Sequence, residues 1–178
     1  MWQNSYLQLH KQCRIMVPGD VMASKTNAVR LVQQANIPVR EIFYEYDEKD
    51  LSGQHAAKAV GLPEEQVYKT LVARGERTGI HVFCIPVCCE LDLKKAARAA
   101  GDKNMELIPV KELLPLTGYI RGGCSPVGMK KKYPTHFEET CQLFDLISVS
   151  AGARGHQMLL PPDQLAKLVE ATYHDLII

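Results

Sequence analysis

The chain has 178 residues, of which 46% are hydrophobic, and 21 Lys and Arg side chains nearly balance 20 Asp and Glu. That length and apolar fraction suffice for one domain with a full core, so neither disulfides nor a metal is needed for folding. The small net charge excludes a broadly basic, histone-like nucleic-acid binder. No apolar segment has the length of a membrane helix and the start lacks signal-peptide order, so we expect a cytoplasmic protein without membrane or DNA partners.

The cysteines predict reduced thiols, because six of them occur without a secretory signal. They are Cys13, Cys84, Cys88, Cys89, Cys124 and Cys141. The cluster from Cys84 to Cys89 is not completed by a second ligand pair at a familiar zinc interval. We therefore predict no metal and no cofactor. All six thiols are interpreted as structural, because no histidine base lies beside them in sequence.

The N-terminal stretch, residues 1–22, mixes Gln, His, Cys and Pro without sustained periodicity and is predicted to be a loosely held extension. A single domain is predicted over residues 23–178. Its first helix begins at Ser24 or Thr26 as a cap and ends before Pro38, because proline disfavours helix in the residue that precedes it.

Two strands and a helix are predicted next. Residues 39–46 are aromatic and β-branched, which favours a strand, and residues 52–60 form a short helix closed by Gly61. Residues 67–73 and 80–87 are apolar runs separated by turn residues, which predicts an antiparallel pair.

Lys69 interrupts the first of these apolar runs. One interpretation places it on the solvent face or at a strand end, with its aliphatic stem extending outward. The other is a lysine held in a cleft, where it meets an anion. The run alone does not decide between them.

The middle of the chain contains the clearest helix signal, residues 90–100, with acids first, bases last and Gly101 as the stop. A strand over residues 105–110 and a helical turn over 111–114, ended by Pro115, are predicted to follow.

A glycine-rich stretch, residues 117–128, contains four glycines, a proline, a serine and Arg121 within twelve positions. Glycine is used where the backbone turns sharply or lies close to a ligand, and donor-lined loops beside an arginine suit anions. A long surface loop with turn residues is the competing interpretation. The triplet Lys130, Lys131 and Lys132 follows and is either solvated or in contact with a polynucleotide backbone.

The last part of the chain alternates short strands with helical turns. Strands are predicted over residues 135–138, 145–150 and 156–160, and a closing helix over 163–172. A second small-residue loop, residues 150–155, contains Arg154. We predict a mixed α/β (α+β) domain in which about seven strands form a strongly curved mixed β-sheet or barrel surrounded by short helices.

The histidines are isolated in the sequence, which disfavours a histidine-based catalytic pair. Four of the six show this: His55, His81, His136 and His156. Only His156, next to the loop that contains Arg154, has a predicted route to a pocket.

Several separate motifs, in order, resemble the YbaK/EbsC family, also called the prolyl-tRNA editing domain family. The resemblance covers the chain from Thr26 to the C-terminus. The motifs are Tyr68-Lys69-Thr70-Leu71, Leu91-Asp92-Leu93-Lys94-Lys95-Ala96-Ala97, Thr117-Gly118-Tyr119 with Gly122-Gly123-x-Ser125-Pro126-x-Gly128, and Val149-Ser150-x-Gly152-x-Arg154-Gly155.

The resemblance implies a barrel-like mixed sheet and the deacylation of mischarged aminoacyl-tRNA. The likeness is greatest to the free-standing branch that clears cysteine from proline tRNA. That branch implies a substrate-assisted mechanism, in which the thiol of the bound cysteine attacks its own carbonyl and no protein nucleophile is required. Prolyl-tRNA synthetase is implied as a partner.

Site residues are carried over from the same motifs. The resemblance implies catalytic roles for Lys69, Gly122 and Ser150, with the Gly122 and Gly123 amides as oxyanion donors. It implies substrate binding by Tyr44, Thr70, Tyr119, Gly123, Ser125 and Arg154. The lysine triplet 130–132 is expected near the tRNA backbone.

The chain also departs from the family pattern. Ala151 stands where family members often have glycine, His156 and Gln157 replace an acidic or polar pair, and Tyr44 is not followed by the usual histidine and aspartate. Substrate choice is therefore left open, including deacylation of another mischarged tRNA such as Ala-tRNA(Pro).

Two other classes of function are kept as alternatives. One is a non-catalytic module that binds tRNA or a synthetase. The other is a hydrolase of small esters or thioesters with Cys124 or Ser125 as nucleophile.

Overall fold

The computed structural model describes residues 25–178, which form five α-helices and eight β-strands. The helices are α1 (Asn27–Gln34), α2 (Gly53–Val60), α3 (Leu93–Ala99), α4 (Val110–Thr117) and α5 (Pro162–Val169). The strands are β1 (Arg40–Phe43), β2 (Tyr68–Gly75), β3 (Gly79–Pro86), β4 (Met105–Leu107), β5 (Thr135–Glu138), β6 (Ile147–Ala153), β7 (His156–Leu160) and β8 (Thr172–His174). Short 3₁₀-helices lie at Glu64–Gln66 and Glu139–Leu143. The predicted mixed α/β class is confirmed, and the predicted extension at residues 1–22 lies outside the described residues.

The strands form two sheets. β1, β7 and β6 make an antiparallel sheet of three strands, and a mixed sheet has the order β4-β2-β3-β5-β8. The β2–β3 hairpin is antiparallel, as predicted from the sequence. β5 runs parallel to β3, and β8 runs parallel to β5.

No closed barrel is found within residues 25–178, so the prediction of one strongly curved sheet or barrel is not confirmed. The two sheets are linked by an isolated parallel bridge between Val67 and Ser148. Just beyond that bridge, β6 shifts register against β7 between Ser150 and Ala153. A bulge bends and twists a strand. We assign the end of the pairing between the two sheets to this bend in β6.

Side-chain caps begin three of the helices. The Thr26 hydroxyl accepts from the Val29 amide at 3.2 Å, and the Ser52 hydroxyl accepts from the His55 amide at 3.2 Å. The Asp92 carboxylate accepts from the first-turn amides of α3. These caps satisfy N–H groups that have no partner inside the helix.

Several element boundaries differ from the prediction, among them the strand predicted over residues 39–46, which is Arg40–Phe43, and the strand predicted over 105–110, which is Met105–Leu107. Two further differences have a local cause. α4 runs through Pro115 to Thr117, whose hydroxyl donates to the Leu113 carbonyl at 2.7 Å. Proline removes one amide donor, and this side-chain bond adds a contact across the same turn. The closing helix does not reach Thr172: it ends beside Glu170, which has a left-handed φ of 53°, and Thr172 begins β8.

The larger sheet is covered on both faces. One core cluster includes Tyr68, Phe137 and Met158, and a second includes Phe83 and Leu176. Leu176 is held in place by its backbone, because its N–H donates to the buried Glu138 carboxylate at 2.7 Å and its carbonyl accepts from the Asp92 amide at 2.8 Å. Burial of each side chain of this size contributes roughly 1.5–3 kcal/mol.

Two buried histidines of the larger sheet are hydrogen-bonded ring to ring. His81 Nδ1 on β3 lies 3.0 Å from His136 Nε2 on β5. His81 Nε2 lies 2.9 Å from the Thr78 hydroxyl, which is 2.8 Å from the Asp102 carboxylate. At the other end, His136 Nδ1 lies 3.1 Å from the Thr172 hydroxyl on β8. Both histidines are isolated in the sequence, so this hydrogen-bonded network was not predicted from it.

The direction of these hydrogen bonds follows from the Asp102 end. Burial raises the pKa of Asp102, but hydrogen bonds from the Arg77 and Thr78 amides and the Thr78 hydroxyl outweigh it and hold the pKa below its ordinary value. The carboxylate only accepts, so Thr78 donates to it and accepts from His81 Nε2–H. His81 Nδ1 then accepts from His136 Nε2–H. His81, which donates through one nitrogen and accepts through the other, is therefore neutral, and burial lowers the pKa of His136 to about 4, which keeps that ring neutral near pH 7.

This hydrogen-bonded network predicts that the protein is less stable in acid. Burial lowers the pKa of His136 to about 4, with further lowering by His81 and His174, and burial also lowers the pKa of His81 from 6.5. The unfolded chain therefore binds protons that the folded chain does not. The free energy of unfolding should be greatest above about pH 6.5 and fall toward pH 4, by up to about 1.4 kcal/mol per pH unit per ring.

Urea unfolding over this pH range checks the prediction. His136→Gln should flatten the dependence of the free energy of unfolding on pH. His55→Gln, at a histidine outside this hydrogen-bonded network, should keep the wild-type slope. A wild-type slope in His136→Gln would contradict the assignment.

Candidate active site

A cleft of about 500 Å³ is lined by residues from α2, β2, the β4–α4 connection, the glycine-rich loop and the β6–β7 turn. Its volume falls in the range of roughly 300–1,000 Å³ that is usual for small-molecule sites. Three cationic side chains line it, Lys69, Arg121 and Arg154, against the single carboxylate of Asp50. Among the described residues, the charges of the lining therefore favour an anionic ligand.

The three residues predicted as catalytic lie together in this cleft. Lys69, Gly122 and Ser150 come from three separate motifs, and all of them line it. Three of the residues predicted to bind substrate line it as well: Tyr44, Thr70 and Arg154.

The other three residues predicted to bind substrate shape the loop instead. Tyr119 is buried and its hydroxyl donates to the Val127 carbonyl. The Gly123 amide donates to the Ile120 carbonyl at 3.0 Å. Ser125 is fully buried and accepts from the Val127 amide at 3.3 Å. The Gly123 amide is thus already paired, which leaves the Gly122 amide as the better oxyanion donor.

The glycine-rich loop and the β6–β7 turn are in contact. Arg154 Nε donates to the Arg121 carbonyl at 3.0 Å. Gly122 has a φ of 85°, and a Cβ there would lie 3.3 Å from Leu51 and 3.5 Å from Arg154. Within residues 25–178, the Gly122 amide has no hydrogen-bond partner. Glycine at this position keeps both the turn and an available donor at the cleft.

Lys69 lies on β2, half-buried, opposite Ile85 of β3. It lines the cleft, so the cleft interpretation of this lysine is favoured over a solvent-facing one. No carboxylate in the described part of the chain pairs with its ammonium group. Its three donors are available to a ligand.

Tyr44 is placed in the cleft at the end of β1. Burial raises the pKa of its phenol, and hydrogen bonds from Gln157 and the Gly155 backbone offset this in part. The Tyr44 amide donates to the Gly155 carbonyl at 2.9 Å. The phenol stays protonated near neutral pH and can donate a hydrogen bond to a ligand.

The histidine that reaches the cleft is not the predicted one. His156 does not line it: its Nε2 lies 2.9 Å from the Glu41 carboxylate and its ring stacks on Phe43 at 4.1 Å. His55 lines it instead, with Nδ1 3.7 Å from the Asp50 carboxylate. The signal that the sequence analysis missed is the Ser52 cap, which places the first turn of α2 at the cleft.

Cys124 lines the cleft but is poorly suited to attack an ester. It is buried, and burial raises the pKa of its thiol to about 12. A nucleophilic cysteine needs a lowered pKa or a neighbouring base. With Ser125 also buried, the alternative of a small-ester hydrolase that uses either residue has no structural support.

The lysine triplet lies outside the cleft lining and is exposed. Lys130 Nζ donates to the Leu114 carbonyl at 3.2 Å, and Lys132 pairs with Glu170. Lys131 and Lys132 also line a second cavity of about 260 Å³.

The described residues contain neither a metal-binding cluster nor a membrane-spanning helix. No group of three or more His, Cys, Asp or Glu side chains between residues 25 and 178 is arranged to hold a metal ion. In the same part of the chain, no helix combines the length and apolar character needed to cross a membrane.

The family model of the aminoacyl-tRNA editing domain matches residues 49–168. That range includes Lys69, Gly122 and Ser150. The chain is 43% identical over 152 residues to EbsC of Enterococcus faecalis, named as a Cys-tRNA(Pro)/Cys-tRNA(Cys) deacylase, with 85% of this chain and 93% of EbsC covered. It is 24% identical over 123 residues to the uncharacterized protein YwhH of Bacillus subtilis, with 69% and 78% covered.

Solved structures have the same fold. A crystal structure described as a trans-editing enzyme for prolyl-tRNA synthetase superposes with a TM-score of 0.71 at 28% identity, covering 86% of this chain and 98% of that one. The hypothetical protein APE2540 superposes with a TM-score of 0.76 at 19% identity, covering 84% and 97%. At that identity the second likeness shows the fold alone.

The turn that carries Arg154 provides a stability prediction. A Cβ on Gly155 would lie 2.5 Å from the Tyr44 carbonyl oxygen, whereas a Cβ on Gly79 would meet no atom within 4 Å. Both glycines have positive φ, 71° and 81°. Gly155→Ala should therefore lower the free energy of unfolding by about 1–3 kcal/mol more than Gly79→Ala, because only the first adds a clash to the backbone strain. Urea unfolding of both variants measures the difference, and equal losses would contradict the predicted clash.

Proposed function

Because the chain belongs to the aminoacyl-tRNA editing domain family, we propose that it is a trans-editing deacylase that removes cysteine from Cys-tRNA(Pro). The amino acid rests on the likeness to EbsC, whose name specifies cysteine. The observation that carries the proposal is that Lys69, Gly122 and Ser150, from separate motifs, line one cationic cleft.

The cleft suits an aminoacyl ester at the end of a polyanion. The ester is already activated, so catalysis requires that the acceptor end be held and the carbonyl polarised. Lys69 contacts a phosphate or the ribose of the terminal nucleotide. The Gly122 amide stabilises the oxygen on which negative charge develops. Ser150, whose hydroxyl accepts from the Gly152 amide at 3.2 Å, positions the aminoacyl group.

The nucleophile comes from the substrate. The cysteinyl thiol attacks its own carbonyl carbon, the bond from that carbon to the ribose oxygen breaks, and the thiol proton passes to the ribose oxygen. The products are a cyclic thiolactone and free tRNA. No redox partner is needed.

The cleft residues support this route because none of them forms a nucleophile–base pair. In residues 25–178, no histidine ring is hydrogen-bonded to Ser52, Thr70, Cys124 or Ser150; the ring bonds go to Thr78, Thr172, Glu41 and between His81 and His136. A prolyl ester has no thiol and is therefore spared, whereas loss of an alanyl ester would require water as the nucleophile.

A partner is needed for selection of the tRNA. The chain has a net charge of +1, which favours weak, general contact with the tRNA backbone. We infer that a prolyl-tRNA synthetase brings the charged tRNA, in the cytoplasm where charging takes place. The support is the similar structure described as a trans-editing enzyme for that synthetase.

Deacylation assays test the proposal. Proline tRNA is charged separately with cysteine, alanine and proline, and ester loss is followed with wild type and Lys69→Ala. We expect fast loss of cysteine alone and at least a tenfold lower rate in Lys69→Ala, because an unpaired cation is removed from the cleft.

Lys94→Ala, an exposed lysine on α3, is the matched control and should keep the wild-type rate. Full activity in Lys69→Ala would contradict the role in deacylation that is proposed for Lys69. Binding of charged tRNA without ester loss above the buffer rate would instead indicate a non-catalytic module.

The lysine triplet provides a separate test of tRNA contact. Of its members, Lys131 has no ion-pair partner within the described residues, whereas Lys132 is paired with Glu170. Lys131→Ala should therefore reduce the slope of log K against log salt by about 1, and Lys132→Ala should reduce it less. Binding of proline tRNA at several salt concentrations measures both slopes, and unchanged slopes would place the triplet outside the interface.

A further inference from the structure

We propose that Tyr46, at the rim of the cleft, is a stacking platform for a nucleobase of the single-stranded acceptor end, and that Arg121 and Arg154 hold the adjoining phosphates. This inference rests on the proposed function, because the acceptor end must reach the cleft. It names the part of the substrate that the rim recognises.

Tyr46 combines exposure with a fixed position. It lines the cleft, yet its side chain is 45% exposed. A Cβ on Gly155 would lie 3.0 Å from Tyr46 Cδ1, so the ring lies against the β6–β7 turn. The glycine at that turn makes room for the ring. An exposed aromatic ring supported on one side is the arrangement on which nucleobases stack.

Two arginines line the same cleft as this ring. Arg154 Nε donates to the Arg121 carbonyl at 3.0 Å. Arg154 Nη1 lies as far as 3.9 Å from the highly exposed Glu48 carboxylate. That ion pair is long and solvated, so it leaves the guanidinium edge available. Guanidinium groups bind phosphate through two parallel donors and also pack on base planes.

The covalent structure of the substrate favours a nucleobase over a protein side chain at this place. The amino acid is esterified to the ribose of the last nucleotide, so a base must lie within one nucleotide of Lys69 and Gly122. Leu107 and Val110 also line the cleft and are half-exposed, so the base meets apolar surface as it leaves water. Single-stranded RNA is commonly recognised by such aromatic and arginine surfaces.

The sequence departs from the family pattern at this residue. Tyr46 stands just after Tyr44, where the resemblance leads one to expect a histidine and an aspartate. The stacking surface is therefore proposed for this chain rather than for the family.

The test uses an uncharged single-stranded RNA with the tRNA acceptor-end sequence, in which the terminal adenine is replaced by fluorescent 2-aminopurine. Stacking quenches this fluorophore. Wild type and Tyr46→Phe should quench it with equal affinity, because both keep the ring. Tyr46→Ala and Tyr46→Leu should bind about 5- to 150-fold more weakly, the range that corresponds to loss of one stacked base.

Kinetics on Cys-tRNA(Pro) provide a second readout. Loss of stacking should raise KM in Tyr46→Ala with little change in kcat, because the ring holds the nucleotide and not the reacting carbonyl. Leu143→Ala is the control: Leu143 is 81% exposed and does not line the cleft, so both constants should stay at wild-type values. Unfolding midpoints show that the variants are folded.

The outcomes separate this inference from the proposed function. Wild-type quenching and KM in both Tyr46→Ala and Tyr46→Leu would overturn the stacking site, whether or not the protein deacylates. Quenching that depends on Tyr46 but is accompanied by no ester loss would support the nucleic-acid site and contradict the proposed deacylase activity. A fall in kcat alone would place Tyr46 with the aminoacyl group and overturn its role as a platform.

Discussion

The close approach of two backbone segments is the constraint on which the cleft depends. The glycine-rich loop and the β6–β7 turn touch through backbone atoms: a Cβ on Gly123 would lie 3.1 Å from the Ala153 carbonyl carbon. Arg154 then fastens the turn to the Arg121 carbonyl. Segments can meet this closely only where side chains are absent. The contact brings Gly122 and Ser150 into one cleft although they lie far apart in the chain.

A cleft made in this way supplies position and charge rather than a reactive group. Its thiol, Cys124, is held protonated by burial, which raises the pKa to about 12. Among the residues that the structure describes, Lys69 and Arg121 are cations of the lining that pair with no carboxylate. Such a site accelerates reactions whose nucleophile is already tethered to the substrate, because only orientation and charge stabilisation are then missing. The substrate's own side chain would thus decide which esters are lost.

Local signals in the sequence predicted much of this fold, and non-local contacts account for what was missed. The α2 helix, the β2–β3 hairpin and β7 each have a cap, a turn or a run of apolar residues in adjacent positions. β8 has three residues and is defined by parallel pairing with β5, which lies elsewhere in the chain. The motifs likewise identified the loop that forms the cleft. They did not show that Ser125 and Tyr119 point into the protein, because a motif does not specify side-chain direction.

The placement of Leu176 has a consequence for synthesis of the protein. The last strand pairs with β5, and Leu176 fills the second core between Glu138 and the start of α3. These residues are synthesised after all the other strands and helices that the structure describes. The larger sheet and the packing under α3 are therefore completed only once this late segment has emerged from the ribosome, whereas the β2–β3 hairpin can form much earlier in synthesis.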